Sequence, residues 1–383
     1  MKQASLKTSY VFAEFQIKLF TFILTFKMIE LKYNYVFFNS PDNNTVKKNP
    51  DGYYTICTKD LESNDNVVLV SYPLDYSSRF VRLLYALHNA KRINQKVDLP
   101  LKSLWYPYYF KNTFKTQKPI CFIILNPYLS VDYLLYLKRK YKDCKIVLLH
   151  RDLRIVTERS NPDFKDNPVF DLTMTINQNE ADKYGWVYFS EFESKIDVPK
   201  ADAYPLSDIF FAGKVKDRLP KLLTAYEILS KAGLKCHYYL TGVPAEQRID
   251  LPGIEYAEAN MSYKEMLYHT VNSRCVLEFN QTGATGYTSR FLEAVIFGKK
   301  LITDNPAILD SPFYDHNRIQ FVKEAKDIDP SFVTEGNDDV NYHYCGEFSP
   351  IRLIEQIDKY WYSGLRSADN KTICNKFFSL ESS

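Results

Sequence analysis

Two loops carry the residue types needed to hold a phosphorylated ligand. The first, Phe211-Ala212-Gly213-Lys214-Val215-Lys216-Asp217-Arg218, places a glycine and three cations between a strand-like run and a helix-like run. Glycine lets a ligand approach the backbone closely, and a helix start offers unpaired amides and partial positive charge. Lys214, Lys216 and Arg218 add full charges, so the set suits a diphosphate. Standing alone, the same loop reads as a basic turn facing solvent. It is not a Walker P-loop, because Gly-Lys-Ser/Thr is missing.

The second loop runs from Asn280 to Ala294, NQTGATGYTSRFLEA. Gly283 and Gly286 are not spaced as G-x-G-x-x-G, so the dinucleotide fingerprint is missing. Thr288 and Ser289 suit the N-cap of a helix and can donate hydroxyls to a phosphate. Arg290 can neutralise phosphate charge, and Glu293, one turn in, can accept two hydrogen bonds from a ribose diol. The plainer alternative makes Thr288 a cap and Glu293 a favourable charge near a helix N-terminus.

Other candidates are more isolated. Tyr256 and the region of Tyr263 follow a strand and can flank a nucleobase, although with 30 tyrosines in the chain a packing role is the simpler reading. His150-Arg151-Asp152 directly follows the apolar run KIVLLH. His150 there can take a proton from an acceptor hydroxyl, with Asp152 beside it, or be a structural histidine. Asp75 and Arg79 are further acceptor-side candidates. Asp338-Asp339 has no third ligand nearby, so no metal site is read.

The elements that position these loops follow from hydrophobic patterning. Asn66–Ser71, Ile120–Leu125, Lys145–His150 and Leu172–Ile176 are short continuous apolar runs, which mark strands covered on both faces. Helical stretches at Ser78–Ala90 and Val131–Tyr141 separate them, and such alternation implies a parallel sheet. Residues 192–206, with two prolines and no clear period, read as a linker.

The alternation then restarts with strands at Asp208–Ala212, His237–Thr241, Cys275–Phe279, Lys300–Thr303 and Ile319–Val322. Helices are expected at Leu219–Ala232, from Ser262 (a capping box with Glu265), at Thr288–Phe297 and at Ile351–Tyr362. The reading is therefore α/β with two Rossmann-like domains facing a cleft. A first domain covers 28–200, a second 206–350, and a C-terminal helix and tail 351–383.

Composition bounds the function. The chain has 383 residues, enough for two domains, and a net charge of only +3, which argues against a dedicated nucleic-acid partner. The cluster Lys138, Arg139, Lys140, Lys142 and Lys145 reads as a solvated helix face, with docking to an anionic membrane as the alternative. Seven dispersed cysteines without C-x-x-C fit a reducing cytoplasm. The apolar run Leu19–Phe26 is bounded by Lys18 and Lys27, too short to span a bilayer, which takes about 20 residues. Residues 1–27 are read as a non-native extension or an interfacial anchor.

The stretch Asp208–Val322 resembles the donor domain of bacterial GT-B-fold glycosyltransferases that build capsular, exopolysaccharide or lipopolysaccharide glycans. DIFFAGKVKDRLPKL, GIEYAEANMSYKEMLYHTVNSRCVLEF and QTGATGYTSRFLEAVIFGKKLITDNP carry the similarity, and FDLTMTINQNEADKYGW looks like the end of that family's first domain. The resemblance implies metal-independent sugar transfer from a nucleotide-diphosphate sugar to a saccharide or lipid-linked acceptor at the inner membrane, without a further cofactor. It implies diphosphate contacts at Gly213 and Arg218 and a ribose contact at Glu293. One departure stands out: the earlier glutamate of the commoner signature, seven residues before Glu293, is Gly286 here. An epimerase on the same scaffold, or a non-catalytic nucleotide-sugar binder, are the alternatives.

Overall fold

The computed structural model describes residues 31–39, 50–70, 74, 77–94, 96–97, 99–125, 129–200, 202–283, 285–336 and 340–363. Residues 1–27, Asp75, Asp338, Asp339 and the tail beyond 363 lie outside them.

The first sheet contains β1 (Asn34–Phe38), β2 (Val67–Val70), β3 (Ile120–Ile124), β4 (Lys145–His150), β5 (Leu172–Thr175) and β6 (Val187–Tyr188), in the order β2-β1-β3-β4-β5-β6. All of its pairings are parallel. The second contains β7 (Ser207–Lys214), β8 (Cys236–Thr241), β9 (Ile254–Ala257), β10 (Ser273–Glu278), β11 (Lys300–Thr303) and β12 (Ile319–Phe321). Its order, β12-β11-β10-β7-β8-β9, is the doubly wound Rossmann order, again all parallel. The chain is thus an α/β protein of two Rossmann-like domains.

The helices used below are α1 (Tyr53–Cys57), α2 (Arg79–His88), α3 (Val131–Lys140), α4 (Arg154–Ser160), α5 (Gln178–Tyr184), α6 (Leu219–Lys231), α7 (Tyr263–Val271), α8 (Ser289–Phe297) and α9 (Pro350–Ser363). Local chemistry sets their ends. Ser262 accepts from the Glu265 amide at the start of α7, and Thr288 from the Phe291 amide at the start of α8. Pro220 sits in the first turn of α6, where its missing N–H leaves no helical bond unmade.

Apolar residues on both faces of each sheet form the cores. Tyr35, Phe37, Cys121 and Val147 pack on one face of the first sheet, and Val36, Phe122, Ile146 and Leu148 on the other. Helix α9 returns from the second domain to the first: Leu353, Ile354 and Ile357 join the first core, and Asp358 accepts from the Tyr35 hydroxyl at 2.7 Å. That return crossing ties the two domains together, and periodicity alone does not reveal it. Nor does it reveal β1, whose five residues are all buried beside β3.

Three members of the basic cluster, which runs from the end of α3 to the start of β4, are committed to the fold. Lys138 pairs with Asp171 at 2.5 Å, Lys140 lies over the Tyr136 and Tyr141 rings, and Lys145 over Trp361. Cys57, Cys121, Cys144, Cys236 and Cys275 are buried free thiols, and Cys345 is exposed. Among the described residues no helix is long and apolar enough to cross a membrane.

Candidate functional site

In the second sheet the strand order reverses between β7 and β10, and the crevice at their carboxyl ends is where open α/β sheets bind ligands. The two loops singled out above leave the sheet there, and side chains join them. Asp217 accepts from the Thr282 amide at 3.0 Å and from its hydroxyl at 2.5 Å, and Lys216 donates to Gln281. Arg218 donates to the Val215 carbonyl at 3.2 Å, the Phe279 carbonyl at 2.7 Å and the Lys214 carbonyl. Three of its five N–H groups therefore brace the loops, and the other two are bonded to none of the described residues.

Gly213 lies at the end of β7 with φ +154°, and a Cβ there would meet no atom within 4 Å. The backbone is open to a ligand at that point. Lys214 is exposed beside it. Gly286 is differently placed. Its φ is +83°, and a Cβ would stand 2.9 Å from the Ile176 carbonyl of the first domain. Glycine is needed there for the domains to meet, which is why the signature carboxylate has no room at this position.

Helix α8 begins beside these loops. The Thr288 hydroxyl donates to Glu278, whose other oxygen accepts from Thr303 at 2.5 Å. That proton is engaged within the protein rather than held for a phosphate. Glu293 is 0% exposed: one oxygen accepts from the Tyr263 hydroxyl at 2.9 Å and the other pairs with Arg290 at 2.5 Å. Arg290 also donates to the Ala212 carbonyl at 3.0 Å, tying α8 to the end of β7. In this conformation Glu293 is a buried clamp, out of a ribose's reach, and Arg290 is its counter-ion. Burial lifts the Glu293 carboxyl above the usual carboxylate range, against the pull of Arg290.

The first domain closes over this clamp. The Tyr53 ring on α1 meets the Tyr263 ring edge-on at 4.8 Å. Arg151, after β4, donates to Tyr53 and Glu191 at 2.5 Å each and lies 4.2 Å over the Phe192 ring. Beside them stands Glu193, buried, with neither carboxylate oxygen in hydrogen-bond geometry with a donor among the described residues. Burial, and then the neighbouring Glu293 charge, push its carboxyl well above the usual range, and Arg151 opposes them.

Glu191 and Glu193 come from the segment that joins the two domains, and sequence reasoning missed both. The one available signal was the cluster Glu191-Phe192-Glu193 ahead of a linker, with no motif to mark it. Asp152 keeps an exposed side chain, yet the atoms packed around it raise its carboxyl, with Lys216 of the second domain and Arg151 opposing.

The structure does not bring His150 into this group. It shares a sheet face with Ile146 and Leu148 and lines a separate cavity of about 90 Å³ with Thr157, Glu158, Asp166, Asn167 and Trp186. Its ring stacks on Trp186 at 4.7 Å and its Nδ1 lies 3.1 Å from the Thr157 hydroxyl. Burial, helped by Arg154, lowers it to about 4, which makes it a weak base. Tyr256 also serves packing: it joins the core under α6, and its hydroxyl accepts from the Ile249 amide at 3.1 Å. Among the described residues no group of three or more His, Cys, Asp or Glu side chains is placed to hold a metal ion.

Fold and site together define a twin-Rossmann protein whose second-domain switch point opens beside a buried, charged interdomain cluster. No family model and no curated protein matches the chain. Solved structures to which it is similar include an alpha-glucosyltransferase in complex with UDP and a 13-mer DNA containing a central A:G mismatch. That pair is 10% identical, covers 90% of this chain and 99% of the other, and has a TM-score of 0.45. The glycotransferase of kitacinnamycin is 11% identical, with 88% and 94% of the two chains covered and a TM-score of 0.36. A protein described as a UDP-N-acetylglucosamine 2-epimerase from Listeria monocytogenes is 8% identical, with 87% and 98% covered and a TM-score of 0.41.

Proposed function

We propose that this chain is a glycosyltransferase. It binds a nucleotide-diphosphate sugar at the carboxyl ends of β7 and β10 and transfers the sugar to a saccharide or lipid-linked saccharide in bacterial surface-polysaccharide synthesis, at the inner face of the membrane. The observation that carries the reading is the junction of the two loops at the sheet reversal. Gly213 is open there, Lys214 is exposed and Arg218 keeps donors in reserve. Fixed amides and cations at that point stabilise charge developing on a departing diphosphate without a reorganisation step.

Donor binding then requires the clamp to open. Glu293 reaches a ribose only if Tyr263 or Arg290 releases it, so a domain or helix movement belongs to the cycle. Asp152, exposed and within the field of Lys216 from the second domain, is the better-placed acceptor-side base of the two residues proposed from sequence. Incubating the protein with UDP-, GDP-, ADP- and CMP-sugars and a saccharide acceptor panel, and following nucleotide release, tests transfer. Interconversion of the donor without acceptor would instead identify an epimerase.

A second reading, a non-catalytic nucleotide-sugar binder, is favoured by one observation: both Glu293 oxygens are engaged and the residue is sealed from solvent. Nucleotide binding without turnover on any acceptor would select it.

A further inference from the structure

Helix α2 presents its apolar side to solvent. Phe80, Leu83, Leu84 and Leu87 are spaced i, i+3, i+4 and i+7, the stripe a globular helix normally buries. Here they are 68%, 58%, 42% and 54% exposed, and no residue of the helix is buried. The orientation is fixed from behind. The Tyr85 ring packs edge-on against Trp105 at 5.5 Å and Tyr109 at 6.0 Å. Trp105 donates to His88 Nδ1 at 2.8 Å, and the other His88 nitrogen lies 2.9 Å from the Pro100 carbonyl.

The exposed surface continues beyond the helix. Leu101 is 65% exposed although its φ of +63° is a strained conformation for a bulky residue, and Leu104 is 64% exposed. Of the 18 large hydrophobics exposed among the described residues, nine fall between residues 80 and 108. Their concentration in one segment is not the scatter of a normal surface.

Charge indicates what covers it. Between residues 79 and 102 the sequence holds Arg79, Arg82, Lys91, Arg92, Lys96 and Lys102 against a single acid, Asp98. This is far more lopsided than the whole chain, with 49 basic and 46 acidic residues. We infer that α2 and the segment through Leu104 form a docking surface for an anionic lipid bilayer, with the leucine stripe set among the acyl chains and the flanking cations at the headgroups. A short helix with a strong apolar face and Lys/Arg at its borders lies in such an interface. The inference does not depend on the donor-site reading, and it assigns membrane contact to a surface other than the α3 cluster.

The test is flotation of the full chain with vesicles of equal parts phosphatidylcholine and phosphatidylglycerol, beside vesicles of phosphatidylcholine alone. Binding is expected to the anionic vesicles only, and to weaken as salt rises. L83S with L87S should abolish flotation without lowering the thermal midpoint, since neither side chain is in a core. R79S and R82S should each weaken it about fivefold. F22S with I23S, in the N-terminal apolar run, should leave it intact. Failure of the full chain to float, equal binding to neutral vesicles, or flotation surviving L83S with L87S but lost in F22S with I23S, each overturns the inference. Light scattering adds a last criterion: a dimer in solution that L83S with L87S converts to monomer would make a second copy the occupant.

Discussion

Replacing Glu293 by alanine separates a structural clamp from a ribose ligand. The wild-type carboxylate is sealed from solvent, pairs with Arg290 at 2.5 Å and accepts from Tyr263 at 2.9 Å. Removing it leaves a largely buried guanidinium without its counter-ion, which costs about 3–5 kcal/mol, and a buried hydroxyl without an acceptor. For a domain of this size the thermal midpoint should fall on the order of 10 °C. Glu293→Gln keeps an acceptor for Tyr263 and loses only the charge pairing, so its loss should be smaller. Pairing Arg290→Met with Glu293→Leu removes both charges and should recover most of the stability, because a buried pair replaced by apolar residues is close to neutral. Thermal and guanidinium melts of the single and double variants measure this directly. A Glu293→Ala loss under about 1 kcal/mol, with nucleotide affinity nonetheless abolished, would refute the clamp and make Glu293 a ligand already free in the resting protein.

Three further outcomes follow from the same geometry. Gly286→Ala sets a Cβ against the Ile176 carbonyl at a φ of +83°, and should lower stability by more than about 1 kcal/mol and expose the 189–206 segment to proteolysis. His150 is held near 4 in the fold against 6.5 unfolded, so it stays neutral while the unfolded chain takes up a proton. Stability should therefore fall by about 3 kcal/mol as pH drops from 6.5 to 4 on its account, with His269, also near 4, adding to the same limb, and His150→Gln should shallow it. Glu193 shifts the other way: its raised carboxyl favours the fold at acid pH and disfavours it as pH climbs through its folded value. Glu193→Gln should accordingly gain on wild type as pH rises, in melts taken across the neutral range.

The sequence reading was strongest where strands are buried on both sides and helices carry local stop signals. KIVLLH and KLIT are strands with the ends expected of them, and Ser262 and Thr288 cap the helices they precede. It failed for β1, Asn34–Phe38, whose five-residue run NYVFF mixes a polar residue and a tyrosine into the apolar pattern. The meeting of the two glycine-bearing loops was legible because both follow strands that the apolar pattern marks as neighbours in a parallel sheet. The interdomain cluster was not. Tyr53, Arg151, Glu193 and Tyr263 lie far apart in sequence, and only the packing of one domain on the other joins them. Glu293 was singled out as a carboxylate early in a helix, able to accept from a ribose diol. Its burial, however, depends on Tyr263 and Arg290, and no spacing rule reports that.

Isothermal titration of the full chain with nucleoside diphosphates and their parent nucleosides tests the central claim, that the β7 and β10 loops form a diphosphate site. The account predicts that one diphosphate binds at least about tenfold more tightly than its nucleoside, and that Lys214→Ala narrows the gap with the melt unchanged. Equal affinity for diphosphate and nucleoside, or no binding of either, would contradict it.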